Sequence, residues 1–255
     1  MTVASIIAFY LFFNEGLNFI KKLFQIDLIT IIGGLSLTTA FLGFIYSISY
    51  TTAAVTLFML ALMPFLASLI AFIFLKEKIS KQNFVSMVIA LLGTLVMIYA
   101  SAFSGSFFGL IMGFVSSLGF AAFSVALRSK SDIKKFYILI YGGIFCAIFS
   151  SILMIINNQD FYIPIKNVYL SMTHGSLVAC GLILFSIGSK QLLSGELTML
   201  SLLEVVGGIF WAWLPILGIN EVPSINTIIG GVIICAAIAM DSYRFDKKRL
   251  QKIVR

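Results

Sequence analysis

Charge is what this 255-residue chain has least of. Asp, Glu, Lys and Arg make up 11% of it and hydrophobic residues 60%, against about 25% charged in an ordinary soluble domain. Water is therefore not its main solvent, and most cytosolic enzyme classes are excluded. At about 20 residues per membrane helix plus short connections, the chain divides into about nine or ten spans, with nothing left for a soluble catalytic domain. Histidine is reduced to one residue, His174, and no second His, Cys or carboxylate is placed beside it as a co-ligand, so no metal site is expected. The three cysteines, Cys146, Cys180 and Cys235, lie in apolar runs without CxxC spacing, and their odd number argues against a disulfide framework. GxGxxG, P-loop, HExxH and GxSxG patterns are all missing. No cofactor is implied, ATP-driven pumping by this chain alone is excluded, and an enzyme is not expected.

What is present is a series of apolar runs bounded by charges or turn residues. They lie near 28–49, 52–75, 83–102, 106–127, 136–156, 168–189, 193–218 and 225–243, each long enough to cross about 30 Å of hydrocarbon as a helix. A ninth run, Met1 to Phe13, reaches spanning length only by taking in Asn14, Glu15 and Asn18, and it looks cropped. It is not a signal peptide, because no Lys or Arg precedes it and no small-residue cleavage site follows.

If the ninth run crosses, the loops alternate sides and the basic residues sort themselves. Lys21, Lys22, Lys76, Lys78, Lys81, Arg128, Lys130, Lys134, Lys135, Lys190 and the six of the tail from Arg244 to Arg255 fall on one side, leaving Lys166 on the other. The positive-inside rule makes the first side and the C-terminal tail cytoplasmic. The net charge of +7 then needs no nucleic-acid partner. Met1 falls on the outer side, so one more span is expected upstream of it.

The chain also repeats itself. Ser49 to Ser80 can be laid on Gln191 to Ser224, pairing Pro64 with Val205, Glu77 with Glu221 and Ser80 with Ser224, with three extra residues near Pro215 in the second copy. Glu77 is predicted at the inner surface and Glu221 at the outer one, as an inverted repeat requires. The expected fold is an all-α integral membrane protein of about nine transmembrane helices in two inverted repeats, four spans in residues 1–102 and five in 103–255.

These residues resemble a known family. ALMPFLASLIAFIFLKEKIS, a helix with a central Pro and a terminal Glu, then Ser, is similar to the first repeat of EamA-like transporters in the drug/metabolite transporter superfamily. SGELTMLSLLEVVGGIFWAWLP, followed by NEVPS and IIGG, is similar to the second. The resemblance implies a multi-pass inner-membrane protein of two inverted five-helix repeats that moves a small metabolite. The first helix of that pattern, which would help wall the substrate cavity, is absent from this sequence.

Glu204 is the most informative side chain. Midway along a span a carboxylate costs about 2.5–3.5 kcal/mol on insertion scales, so it must face protein or a cavity. At helical spacing Ser201, Glu204, Gly208, Trp211 and Pro215 share a face, which suits a substrate pocket; a packing hydrogen bond from the acid is the structural alternative. Thr39, Gly43, Tyr46 and Tyr50 lie on one face of the second span, with Tyr46 the better substrate contact. His174 is a further candidate for a substrate or proton contact, against a plain interhelical hydrogen bond. Pro64 removes a backbone hydrogen bond mid-span and Gly207 with Gly208 loosens the equivalent region, so these three are candidate helix breaks for gating. Glu77 and Glu221 are read as structural, beside Ser80 and Ser224 as N-caps. Glu196 is a first-turn acid favoured by its helix dipole. Gly105, Gly109, Gly113, Ser117 and Ala121 form a small-residue ridge that packs within the chain or makes a homodimer seam.

The expected activity is that of a secondary transporter in the inner membrane, moving a small metabolite or drug-like solute by alternating access, coupled to protons or to exchange. Its expected partners are the solute and membrane lipid. An inactive fragment or structural membrane partner is the alternative, and an intramembrane enzyme lacks the nucleophile or metal constellation it would need.

Overall fold

The computed structural model describes residues 2–99, 106–130, 134–159, 162–214 and 224–253, without the side chains of residues 54, 98, 209, 211, 212 and 244–253. In hydrocarbon a backbone must satisfy its own polar groups, and this chain does so with helices: α1 (Thr2–Glu15), α2 (Asn18–Leu23), α3 (Leu28–Tyr50), α4 (Ala53–Leu60), α5 (Met63–Leu75), α6 (Lys81–Ile98), α7 (Phe107–Ser129), α8 (Lys134–Ile156), α9 (Ile165–Gly188), α10 (Ser194–Ser201), α11 (Leu203–Trp213) and α12 (Ile225–Ile253). Among the described residues six helical stretches are long and apolar enough to cross a membrane, with Thr2–Glu15 and Lys81–Met97 as shorter apolar helices. The protein is an all-helical, multi-pass membrane protein.

Local sequence sets the helix starts. Asp27, Thr52, Ser80, Ser106 and Ser224 precede α3, α4, α6, α7 and α12, and each side-chain oxygen accepts the backbone N–H three residues on, at 2.9, 3.3, 3.1, 3.1 and 3.2 Å. Ser80 and Ser224 thus take the capping positions their spacing indicated. Ser80→Ala is expected to lower stability by about 1 kcal/mol, read as an earlier denaturation midpoint of the detergent-solubilised protein; an unchanged midpoint would remove the cap from the account.

Two expected spans are broken. The segment 52–75 divides at Ala61–Leu62 into α4 and α5, and 193–214 divides at Leu202 into α10 and α11. Pro64, at the second position of α5, has no N–H for the Leu60 carbonyl and starts a new helix instead. The second break has no proline. There Ser201 and Thr198 turn their hydroxyls onto the Leu197, Ser194 and Gly195 carbonyls at 3.3, 2.9 and 3.1 Å, in competition with the helix's own N–H groups. Ala61 and Leu202, the two C-caps, stand 141 positions apart, as do the N-caps Thr52 and Leu193.

Small residues let α7 into the middle of the bundle. A Cβ on Gly43 would lie 2.8 Å from the Met112 carbonyl oxygen, and one on Gly119 would lie 2.7 Å from that of Ser36. Ser116 then donates across to the Ala40 carbonyl at 2.8 Å, and Ser117 to that of Met59 beside the first break. The described ridge residues of α7 are therefore filled by α3 and by α4–α5 of the same chain; Gly105 lies outside the described residues.

A second close seam joins α6 to α12. A Cβ on Gly230 would fall 2.4 Å from the Gly93 carbonyl oxygen, Gln82 donates to the Met240 carbonyl at 2.7 Å, and Asn83 donates to the Asp241 carboxylate at 3.0 Å. Two apolar cores result. One gathers Ile7, Leu37, Phe123 and Leu139 from α1, α3, α7 and α8; the other gathers Met63, Met87, Met199 and Ile234 from α5, α6, α10 and α12. Phe120 of α7 packs against both.

Candidate transport site

The break at Leu202 puts Glu204 in the first turn of α11. Leu202, Val205 and Val206 turn inward to the second core. Glu204 points the other way, is exposed, and has no hydrogen-bond or ion-pair partner among the described residues. Gly207 and Gly208 continue that open side, where an added Cβ would meet nothing within 4 Å. The Ser201–Glu204–Gly208 stripe is interrupted by the break, since Ser201 belongs to α10, is partly buried and satisfies itself on Leu197. The Trp211 side chain, Pro215 and Glu221 lie outside the described residues.

The remaining candidates separate into groups. Tyr46 is half-buried at the far end of α3, its ring 6.2 Å from and nearly parallel to Tyr50, with Phe108 of α7 edge-on at 6.1 Å. Thr39 is exposed and its hydroxyl donates to the Leu35 carbonyl of its own helix at 2.8 Å, while Gly43 between them is buried under α7. His174 is exposed on α9, seven residues before Gly181, another position with open space around its Cβ. Open side chains and open glycines thus mark α9 and α11, whereas the face of α3 is divided between packing and exposure. Pro64 is fully buried at its break.

Glu77 does something its sequence neighbours do not announce. It lies past the end of α5, where Lys76 takes a left-handed conformation at φ 55° and turns the chain out of the helix. Its carboxylate accepts from Arg128 Nε in the last turn of α7 and, at 3.1 Å, from the backbone N–H of Ser194 at the start of α10. Arg128 is held in turn by the Ser189 and Lys190 carbonyls at 3.0 and 3.2 Å. The Glu196 carboxylate accepts the Leu193 N–H at 3.0 Å, a local cap of α10. The signal that could have found the Glu77–Arg128 pair was the loop count, which puts both residues on one membrane face; what it lacked was proximity.

The same face carries a polar cleft of about 280 Å³ lined by Lys22, Asp27, Thr30, Lys134, Tyr137 and Tyr141. Its walls are tied by the Lys22–Glu15 ion pair at 2.5 Å, by Tyr137 donating to Glu15 at 2.6 Å and by the Lys130–Asp27 pair. These bonds tie α1 to α2 and α8, and the start of α3 to the end of α7.

Comparison with known proteins agrees with this architecture. Residues 1–99 match the EamA-like transporter family. Pseudopaline exporters CntI of Pseudomonas aeruginosa, strains UCBPP-PA14 and PAO1, are 26% identical over 200 residues, covering 76% of this chain and 67% of theirs. A solved crystal structure superposes over 96% of this chain and 85% of its own, with a TM-score of 0.71 at 16% identity, a likeness of fold alone. The helical multi-pass fold, the match of residues 1–99 and the exporter similarity together make the chain similar to EamA-like transporters of the drug/metabolite transporter superfamily.

Proposed function

We propose that the protein is a secondary transporter of the inner membrane, in which residues 1–102 and 103–255 form two inverted repeats that rock about a midplane site bearing Glu204. The observation that carries this reading is the open side of α11: an exposed carboxylate in its first turn, within the 193–218 stretch that the sequence marks as a span, beside two glycines with space around them. A charge facing hydrocarbon at that depth is too costly to keep, so the open side is a solute cavity, and a carboxylate there serves a solute amine or carries a proton. The equal spacing of the two helix breaks supports the repeat assignment. The basic loops support a cytoplasmic C-terminus. The similarity to exporters favours outward movement of a small metabolite.

The test is counterflow in proteoliposomes containing the full chain, with a panel of radiolabelled amines, amino acids and nucleoside-like solutes. Accumulation of at least one solute against its unlabelled pool is the expected result. No movement of any panel member by monodisperse, helical protein would reject the reading.

A further inference from the structure

The Glu77 cluster has the composition of a gate. We infer that Glu77, Arg128 and the N-terminus of α10 form a latch that closes the solute path on the basic face, and that Phe120, Phe123 and Phe185 form its apolar plug. This rests on the transporter reading above and names where its path is shut.

Three observations converge. The latch joins the two repeats: Glu77 follows α5 in the first, while Arg128 and Ser194 belong to the second. It is preorganised on one side only, because the Ser189 and Lys190 carbonyls hold Arg128 whether or not Glu77 is present. A carboxylate placed between a guanidinium and helix N–H groups is strongly favoured, and separating the repeats means withdrawing Glu77 from a socket that stays built. The pair is shielded, with side chains 14% and 22% exposed.

Beneath it lie polar atoms that the closed form does not use. The hydroxyls of Ser124, Ser186 and Ser194 are buried without a hydrogen-bond partner. Ser124 stands one helical turn before Arg128 on α7, Ser186 one turn before Ser189 on α9, and Ser194 donates its own N–H to Glu77. Native interiors rarely leave hydroxyls unpaired. Here all three lie on the helices that carry the latch or its carbonyl support, and water admitted by an open latch would give them partners. At the neighbouring positions of the same two helices the rings of Phe123 and Phe185 stack at 6.1 Å and Phe120 meets Phe185 edge-on at 5.2 Å, filling the space between α7 and α9 with aromatic side chains of the apolar core.

The test reads accessibility and needs no substrate. Cys146, Cys180 and Cys235 are replaced by Ala, and Ser124→Cys or Ser186→Cys is introduced as the only thiol in the full chain in proteoliposomes. A membrane-impermeant maleimide is then supplied from either side. With the latch intact, labelling is expected to be slow from both sides. Glu77→Gln and Arg128→Gln, each removing a charge-assisted bond, are expected to speed labelling from the basic-loop side by about tenfold. Arg128→Lys, which keeps the charge but loses the fork, gives a smaller increase of the same sign and serves where the neutral variants do not fold. Unchanged labelling in folded latch variants, or faster labelling only from the opposite side, overturns the gate. If labelling shifts as expected while no solute moves in counterflow, the latch stands and the transporter reading falls.

Discussion

Glu204→Gln is expected to abolish net solute movement, or to uncouple it from the proton gradient, while the bundle stays folded. The substitution keeps the size and hydrogen-bonding reach of the side chain and removes only its capacity to carry charge. A loss of charge recognition or of one protonation step worth about 3 kcal/mol slows transport by about a hundredfold. Stability should hardly move, because Glu204 is exposed and has no partner among the described residues to leave unsatisfied. The measurement is initial-rate uptake and counterflow at several pH values, with circular dichroism and gel filtration on the same preparations. Wild-type rates with an unchanged pH profile in the variant would show that the carboxylate belongs to packing.

Gly230→Ala is expected to have the largest effect on folding. The added methyl falls 2.4 Å from the Gly93 carbonyl oxygen and 2.7 Å from the Met97 amide nitrogen, and these are backbone atoms that no rotamer change can move. Accommodating it forces α6 and α12 apart, at a cost of about 1–3 kcal/mol or more for overpacking. The shift would also weaken the Gln82–Met240 and Asn83–Asp241 bonds farther along the same seam. Gly207→Ala is the matched control: its new methyl meets nothing within 4 Å, and alanine favours a helix interior over glycine by about 1 kcal/mol. Thermal denaturation in detergent should therefore fall for Gly230→Ala and hold or rise for Gly207→Ala. Equal midpoints for the two would refute the close seam.

Much of the fold was legible in the letters because membrane helices answer to local rules. Length and hydropathy marked the spans, and Ser80 and Ser224 cap the helices they precede because capping needs only a side chain three residues from an N–H. Pro64 foretold the first break for an equally local reason: it lacks a donor. The break at Leu202 was harder to read, since it comes from Ser201 and Thr198 bonding to carbonyls, an option such residues take or decline according to their surroundings. The Thr39–Tyr46 face shows the limit of periodicity. Three of its residues share a stripe, yet Gly43 is claimed by α7 while Thr39 is left open and Tyr46 stacks on Tyr50.

Glu77 marks the division most clearly. Its helix and its place at a span end were readable, and so was the basic character of the loop that carries Arg128. That these two should meet, 51 positions apart, depends on how α5, α7 and α10 pack. Sequence alone determined which segments are apolar enough to span and where the capped helices α3, α4, α6, α7 and α12 start, because those are contests between a residue and its solvent or its near neighbours. That Glu77 meets Arg128 and Ser194 was decided by tertiary structure, because contacts between residues so far apart in the chain form only after small residues have let distant helices come close.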